Sequence, residues 1–408
     1  MHRSTTFLFA AAAGVCVANV YYAQPLLDLL AAGFGLPAAA VGSVVTATQA
    51  GSVLALVFLL PLGDMHDRRR LLLWQLVALA LACAAMASAR GLLWLMLAAG
   101  GVGMLGTAMT QGLIACAAAM ADDDSRGQTV GTVQGGVVMG LLLSRVVSGT
   151  IGEHLGWRAV YAVSAALALL LLAVLARRLP VQPQAVAGAG NTGRAGAGAG
   201  TGTYAGLLAS MPQLLLRDRV LRQRGVLAML IFAVLSVLWS SLVLPLSAPP
   251  YAMSHAAIGM FGLAGAAGAL GASHAGRLAD KGHAQLVTGG ALLLMLASWL
   301  PLSQADGRLW PLILGIIVLD LGATAVHVSN QSLIFRRGAS SHGRLIACYM
   351  LFYASGSGLG AISATASYAA GGWLAVCALG ATLSLAALLF WLTTLRSAVS
   401  ATRQWNQG

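Results

Sequence analysis

Long apolar runs alternate with short polar breaks along the whole chain of 408 residues. A helix needs about 20 apolar residues to cross a hydrocarbon core of roughly 30 Å, and most of the runs reach that length. The strands of a membrane barrel would instead alternate apolar and polar residues, and these runs do not. The pattern therefore predicts an all-α membrane protein with twelve transmembrane helices, at residues 7–30, 38–62, 71–89, 92–120, 129–152, 158–176, 225–247, 256–275, 285–303, 309–331, 344–368 and 373–395.

The composition supports a membrane protein and argues against a nucleic-acid partner. Apolar residues make up 59% of the chain, and the mean hydropathy of +0.83 is too high for a soluble protein of this size. The net charge of +12 would by itself suit nucleic acid, but the basic residues lie in the short breaks between apolar runs. That placement is typical of topology signals in a lipid bilayer.

Arginines set the predicted orientation because they are concentrated in every second break. Only Arg90, Arg158 and Arg308 fall in the alternate breaks. The positive-inside rule then predicts that both termini are cytoplasmic, in a multi-pass protein of a bacterial inner membrane. The first run follows a short basic start and has no clean cleavage site, so we expect it to stay as the first transmembrane helix.

A segment rich in glycine, alanine and threonine interrupts the apolar runs near the middle of the chain. It contains "AVAGAGNTGRAGAGAGTGTYAG", which cannot build a core and is typical of a flexible linker. The sequence therefore predicts four parts: a six-helix bundle at 1–176, a cytoplasmic linker at 177–224, a second six-helix bundle at 225–395 and a cytoplasmic tail at 396–408.

The two predicted bundles share a loop motif. "GDMHDRRR" follows the second run and "GRLADKGH" follows the eighth, which pairs Gly63 with Gly276 and Asp67 with Asp280. A helix-ending glycine permits a sharp reversal, and an aspartate suits a helix N-terminus. Parallel repeats of six helices are typical of secondary transporters, whose substrate site lies between the repeats near the bilayer midplane.

These two motif copies resemble the loop signature of the major facilitator superfamily, Gly-x-Leu-Ala-Asp-Arg-x-Gly-Arg-Arg. The first copy departs at the eighth and ninth places, where Arg70 and Leu71 stand. The arginine expected to latch the two bundles together on the cytoplasmic side is therefore Arg69 or Arg70. The resemblance covers nearly the whole chain and implies alternating access between two bundles. The predicted cytoplasmic gate consists of Gly63, Asp67, Arg68, Arg70, Gly276, Asp280, Lys281, Arg126 and Arg344.

Ionisable residues inside membrane helices are costly and are candidates for function. Asp320 lies midway along the tenth run, and His327 follows seven residues later on the same helical face. Burial at this place disfavours the ionised form of the carboxylate, so the carboxylate can bind and release a proton during transport. The alternative is a structural hydrogen bond to a neighbouring helix.

Arg145 is a second buried charge, in the fifth run. An arginine keeps its proton, so it cannot carry protons itself and needs a partner. By depth, the nearest acids in the sequence are Asp28 and Glu153, which predicts a structural ion pair. Binding of an anionic substrate and tuning of a coupling carboxylate remain alternatives, so the proton-coupling candidates are Asp320, Arg145 and Asp28.

Polar residues in other helices are candidates for the lining of a substrate cavity. In the first run, lipid would reject the amides of Asn19 and Gln24, and Tyr22 lies between them. The resemblance implies that helices one, four, seven and ten line the cavity. The predicted lining residues are therefore Asn19, Tyr22, Gln24, Gln111, Trp239 and His327.

A narrower resemblance concerns bacterial sugar-efflux-like or drug-efflux-like permeases, through "ANVYYAQPLL" and "LLLSRVVSGTIGEHLGWRAVY". It implies proton-coupled efflux of a small organic molecule. Drug–proton antiporters of the superfamily carry Arg-x-x-Gln-Gly in helix four, whereas Ala108 takes the arginine's place here and Gln111 is kept. Proton-coupled uptake and a non-transporting receptor on the same fold remain the alternatives.

The sequence indicates no enzymatic chemistry. The five cysteines all lie in apolar runs without metal-ligand spacing, and no phosphate-binding glycine loop precedes a lysine. We therefore expect no cofactor and no metal. The expected partners are a small-molecule substrate, protons and the lipid bilayer, and we expect the protein to be a monomer.

Overall fold

The computed structural model describes residues 3–121, 126–179, 204–278, 282–304, 308–335 and 342–405. Within these ranges the chain is helical and contains no strand, so the all-α prediction is confirmed. The α-helices are α1 Arg3–Tyr21, α2 Leu27–Phe34, α3 Ala38–Val41, α4 Ser43–Leu54, α5 Arg68–Ala87, α6 Leu92–Met120, α7 Arg126–Leu155, α8 Trp157–Arg178, α9 Tyr204–Arg217, α10 Arg219–Ser241, α11 Val243–Ser247, α12 His255–Leu278, α13 Ala284–Ser303, α14 Leu309–Phe335 and α15 His342–Trp405.

Twelve membrane crossings can be traced through these helices. Ten stretches of the described residues are long and apolar enough to span a bilayer. One of them, Ala347–Leu395, holds two crossings, because Gly371 and Gly372 leave the helical conformation inside α15. The shorter apolar stretch His255–Ala269 at the start of α12 supplies the remaining crossing.

The molecule has two halves and two faces. The first half is residues 3–179 and the second half is residues 219–405. The basic face is the end of the helix bundle that carries residues 62–68, and the opposite face is the end that carries residues 247–255.

Local sequence explains where the helices bend and begin. The first crossing changes to a 3₁₀ turn at Gln24–Leu26, because Pro25 lacks the amide hydrogen that an α-helix needs there. Asp67 caps α5 by accepting a hydrogen bond from the Arg69 amide at 2.9 Å, and Asp218 caps α10 through the amides of Val220 and Leu221.

Glycines allow the closest helix contacts. A Cβ on Gly14 of α1 would lie 2.7 Å from the Gly136 carbonyl oxygen of α7, and Gly140 packs against the same segment. Small residues at this spacing let two helix backbones approach within a membrane. These contacts hold α1 against α7, which positions Gln24 and Arg145 on adjacent helices.

The predicted linker 177–224 is helical in part. Residues 180–203 lie outside the described residues, whereas α9 occupies 204–217 and α10 begins at Arg219. The Tyr204 hydroxyl donates to the Phe58 carbonyl oxygen at 2.8 Å, which attaches α9 to the end of the second crossing. The expected tail beyond 396 continues α15 as far as Trp405.

Candidate functional site

A charged cluster lies where the two halves meet. Arg145 of α7 is only 5% exposed, ten residues before α7 ends at Leu155, or about 15 Å of helix. Its Nη2 donates to Gln24 Oε1 at 3.3 Å, and its guanidinium carbon lies 3.8 Å from the ring centroid of Trp239 in α10. The Nε atom of Arg145 is buried without a hydrogen-bond partner. A guanidinium desolvated over an aromatic ring gains about 2 kcal/mol from the ring quadrupole.

Asp320 of α14 supplies the negative charge of the cluster. Its Oδ2 atom is buried and unpartnered, and the residue interacts electrostatically with Arg145 and approaches the Trp239 indole. In the described part of the chain, no direct salt bridge joins Arg145 and Asp320. A Cβ on Gly265 of α12 would lie 3.2 Å from Asp320 Oδ2 and 2.9 Å from the Trp239 ring. Gly265 therefore lets α12 close over the carboxylate.

The acid that faces Arg145 differs from the sequence-based prediction. Asp28 contacts His255 instead, with His255 Nε2 at 2.8 Å from Asp28 Oδ2 and 3.0 Å from Oδ1. Glu153 Oε2 accepts a hydrogen bond from the Ala256 amide at 2.8 Å. The prediction was wrong because depth along α7 does not report which helix faces it. The contacts of Arg145 cross to α10 and α14 of the second half.

A polar chain extends from the cluster toward the basic face. His327 Nδ1 lies 2.9 Å from the Tyr349 hydroxyl, and Gln331 Nε2 lies 3.2 Å from His327 Nε2. Asn330 lies 3.5 Å from the same hydroxyl and accepts a hydrogen bond from Arg224 at 3.4 Å. His327 thus belongs to a network of the second half and lies about two turns along α14 from Asp320.

Two tyrosines join the halves beside this chain. The hydroxyls of Tyr21 in α1 and Tyr353 in α15 are hydrogen-bonded to each other. Phe232 packs on Tyr353 with 3.9 Å between ring centroids and on His327 at 5.1 Å. Sequence reasoning missed Tyr353, Phe232 and Tyr349. Single aromatic residues in apolar runs carry no signal unless the facing helix is known.

The structure corrects the placement of Asn19 and Tyr22. The amide of Asn19 donates to the Val15 carbonyl oxygen and accepts from Cys83 and Ser164, and the residue is 2% exposed. Tyr22 packs edge-on against Tyr161 at 6.5 Å between ring centroids. Both side chains therefore lie inside the first half, where Asn19 joins α1 to α5 and α8 and Tyr22 packs on α8.

The remaining predicted lining residues divide between two locations. Gln24 and Trp239 join Arg145 directly, as described above. Gln111 is half-buried on α6, and no described contact brings it to the charged cluster. The structure thus gathers Gln24, Arg145, Trp239 and Asp320, with His327 in the adjoining network.

The first copy of the predicted gate motif lies at the basic face and makes several bonds to its own half. Arg68 donates from Nη1 to the Ala115 carbonyl oxygen at 3.0 Å, and Arg69 donates to the Ala176 carbonyl oxygen at 2.7 Å. Arg70 Nε lies 3.7 Å from Asp67 Oδ2, at a mostly exposed position. These bonds tie α5 to the ends of α6 and α8.

The other predicted gate residues belong to both halves of the molecule. Asp280 and Lys281 lie outside the described residues. Arg126, Gly276 and Arg344 lie within α7, α12 and α15, and only their backbone is described. Gly63 lies in the 3₁₀ turn Pro61–Asp64, and its carbonyl oxygen accepts from Arg68 Nε at 3.3 Å.

The halves also meet tightly near the opposite face. Gly149 of α7 lies against the backbone of His255 and Gly259 in α12, where a Cβ would overlap the His255 carbonyl oxygen. On the other side of the bundle, Thr46 Oγ1 donates to the Gly358 carbonyl oxygen at 2.7 Å. Two independent helix pairs therefore close the contact between the halves at this end.

The side chains of the charged cluster are suited to binding polar ligands and protons. Over the described residues there is no group of three histidine, cysteine or acidic side chains positioned to hold a metal. A guanidinium, a carboxylate with a free oxygen and an amide can bind a polar ligand, and the carboxylate can bind a proton.

Comparisons with known proteins agree with this architecture. The sequence profile described as Major Facilitator Superfamily matches residues 7–343. The chain is 40% identical over 384 residues to the uncharacterized transporter YgaY of Escherichia coli O157:H7, covering 94% of each chain. It is 33% identical to the "Probable transporter SCO4007" of Streptomyces coelicolor, covering 91% of this chain and 83% of the relative.

A solved structure shares the fold at low sequence identity. A bacterial homologue of the human lysosomal transporter Spinster, in an inward-facing and occupied conformation, matches with a TM-score of 0.74 at 14% identity and 96% coverage of both chains. The profile match, the relatives and the fold all concern transporters rather than enzymes. This chain belongs to the major facilitator superfamily and is a multi-pass membrane transporter of that family.

Proposed function

We propose that the protein is a proton-coupled carrier that works by alternating access and exports a small organic molecule against proton entry. The observation that carries proton coupling is Asp320, whose Oδ2 is buried and unpartnered beside Arg145. A buried carboxylate is costly in its ionised form and is relieved when it binds a proton. Export is expected from the resemblance to efflux-like permeases.

The position of the cluster supports its role in alternating access. Gln24 and Arg145 belong to the first half, whereas Trp239 and Asp320 belong to the second half. A change in the angle between the halves changes these contacts. The charge state of Asp320 can therefore bias which face is open, because a ligand shifts a conformational equilibrium through its different affinity for the two states.

The proposal includes an orientation and an assembly state. The concentration of arginine at the basic face supports assigning that face and both termini to the cytoplasm of a bacterial inner membrane. The cluster is built from helices of a single chain, so a monomer is sufficient for the proposed function.

The test is proton flux in proteoliposomes that contain the purified protein. A pH gradient is imposed, and a panel of sugars, drugs and organic anions is added while internal pH is recorded. A compound that changes the pH only when the protein is present establishes a proton-coupled carrier, and the sign of the change separates export by antiport from co-transport. A panel that binds without moving protons would contradict the proposal and favour a receptor or a uniporter.

A second candidate, proton-coupled uptake, is favoured by Arg145. When Asp320 is protonated, Arg145 loses a nearby negative charge, and its unpartnered Nε is ready to bind an anion. A proton and an anion would then bind together and move in the same direction. In the proton-flux test, this candidate gives alkalinisation of the compartment from which substrate and proton are taken.

A further inference from the structure

Two arginines, Arg145 between the halves and Arg224 on α10 of the second half, are buried without an acid in direct contact among the described residues. Arg145 and Arg224 are 5% and 6% exposed. Over the described residues, neither forms a salt bridge with a carboxylate, and their side-chain hydrogen bonds go to Gln24, Leu141 and Asn330. A buried charge without a counter-charge is expensive, so a ligand of opposite charge is favoured at both positions.

The two arginines lie on one polar route. Trp239, which stacks on Arg145, and Arg224 are fifteen residues apart on α10, or about 22 Å along the helix axis. The interval between them is lined by Phe232 and His327, which pack edge-on at 5.1 Å. The route therefore runs from the charged cluster toward the basic face past aromatic rings and hydrogen-bonding side chains.

The charges along this route are unequal. It holds two guanidinium groups and one carboxylate, Asp320, so its net charge is positive whether or not Asp320 carries a proton. Buried positive charge raises the local concentration of anions and repels cations. Guanidinium also matches the planar, paired oxygens of a carboxylate or sulfonate better than an ammonium group does.

We propose that the transported substrate is a small organic anion with an aromatic or apolar body, whose acid group binds Arg145 in the charged cluster and then Arg224 near the basic face. This inference rests on the proposed transport function and specifies its substrate class. Trp239 and Phe232 supply the apolar walls, while Gln24 and the Tyr21–Tyr353 pair supply polar contacts beside the acid group.

Asp320 competes with the substrate for Arg145. The other titratable groups around it are Tyr21, across Arg145, and His327, two turns along α14 and bonded to Tyr349. Neutralising Asp320 removes the competing charge, so protons and the anion bind together. This coupling is co-transport, so the inference rests on the second candidate above, proton-coupled uptake, rather than on export by antiport.

The first experiment measures binding to the full-length purified protein by thermal stabilisation, which rises with ligand concentration relative to the dissociation constant. The probes are benzoate, indole-3-acetate and benzenesulfonate, each compared with its neutral amide. We expect at least one acid to bind about tenfold more tightly than its amide. Equal stabilisation by all three acids and their amides, or none by any acid, would overturn the inference.

Variants of the cluster give the second part of the test. Asp320→Asn should tighten binding of benzenesulfonate, whose charge does not change with pH, by about tenfold, within the usual range for coupled sites. Arg145→Gln should abolish the preference for the acid, whereas Arg145→Lys keeps a positive charge and should retain part of it. Asp28→Asn is the matched control, because Asp28 contacts His255 at the opposite face and should leave the preference unchanged.

Arg224 is tested by flux rather than by binding. Arg224→Gln should leave acid binding at Arg145 within about twofold. It should slow anion-dependent proton flux by about tenfold, which is within the usual range for coupling between two sites. Retained acid preference in Arg145→Gln, or unchanged flux in Arg224→Gln, would contradict the two-position route. Proton flux with neutral compounds alone would overturn the anion inference and leave the carrier function standing.

Discussion

The two faces of the bundle hold the halves together in different ways. At the opposite face, Asp28 meets His255, Glu153 meets the Ala256 amide and Gly149 packs on the α12 backbone, and all three contacts cross between the halves. At the basic face, Arg68 and Arg69 donate to the carbonyl oxygens of Ala115 and Ala176, both in the first half.

This difference indicates which contacts act as a gate in the observed state. The contacts at the opposite face close the path between the halves there. The loop motif at the basic face instead fastens α5 to α6 and α8, so that three helices move as one body. We propose that the motif also acts as a latch when the halves close at that face.

The largest expected effect comes from breaking the contact at Gly149. A Cβ there overlaps the His255 carbonyl oxygen, so Gly149→Val should separate α7 from α12 and open the opposite face. Overpacking of this kind costs about 1–3 kcal/mol, enough to shift a two-state equilibrium by about fivefold or more. The measurement is labelling of a cysteine placed at Ile258 of α12, which is 3% exposed in this state, by a membrane-impermeant reagent in oriented vesicles.

The control for this prediction lies on the same helix. A Cβ on Gly131 would have open space around it, so Gly131→Val should leave labelling and transport close to wild type. Equal labelling in both variants would show that the Gly149 contact does not seal the opposite face.

An intermediate effect is expected at the basic face from Asp67→Ala. The loss of the N-cap bond to Arg69 destabilises α5 by about 1 kcal/mol, and the loss of the latch should also lower transport severalfold. Asp218→Ala removes an equivalent cap on α10 and is the matched control. Equal transport by the two variants at equal membrane abundance would reduce Asp67 to a helix cap.

The smallest effect is expected from Asp28→Asn at the opposite face. The Asp28 and His255 side chains are 22% and 17% exposed, so their interaction contributes about 1 kcal/mol or less. We expect a modest rise in labelling at the opposite face, smaller than that of Gly149→Val. Labelling as strong as in Gly149→Val would show that the ion pair, rather than backbone packing, closes this face.

Much of the fold follows from sequence because the bilayer imposes one requirement on every crossing. Run length predicted all twelve crossings, including the two that α15 combines. The placement of Asp320, Gln24 and Trp239 near one another was anticipated only as separate candidates. Which polar groups face each other depends on how each helix is rotated about its own axis. The sequence of a uniformly apolar helix does not indicate that rotation.

The errors in the predicted site have the same physical origin. Asn19 looked like a cavity residue because lipid rejects its amide, yet Cys83 and Ser164 satisfy it inside the first half. Asp28 seemed matched to Arg145 by depth, yet it faces His255 across the other helix pair. Depth and polarity can be read from sequence, whereas contact partners require the packed structure.

The most direct test of the central claim compares two transport modes in Asp320→Asn. Counterflow exchanges labelled for unlabelled substrate without net proton movement, whereas accumulation driven by a pH gradient needs proton coupling. Using a substrate identified in the flux assay, we expect the variant to keep counterflow within about twofold and to lose gradient-driven accumulation by tenfold or more, as expected when a coupling group worth about 1.4 kcal/mol or more is removed. Accumulation that survives in the variant with its pH dependence intact would contradict the account and return Asp320 to a structural role.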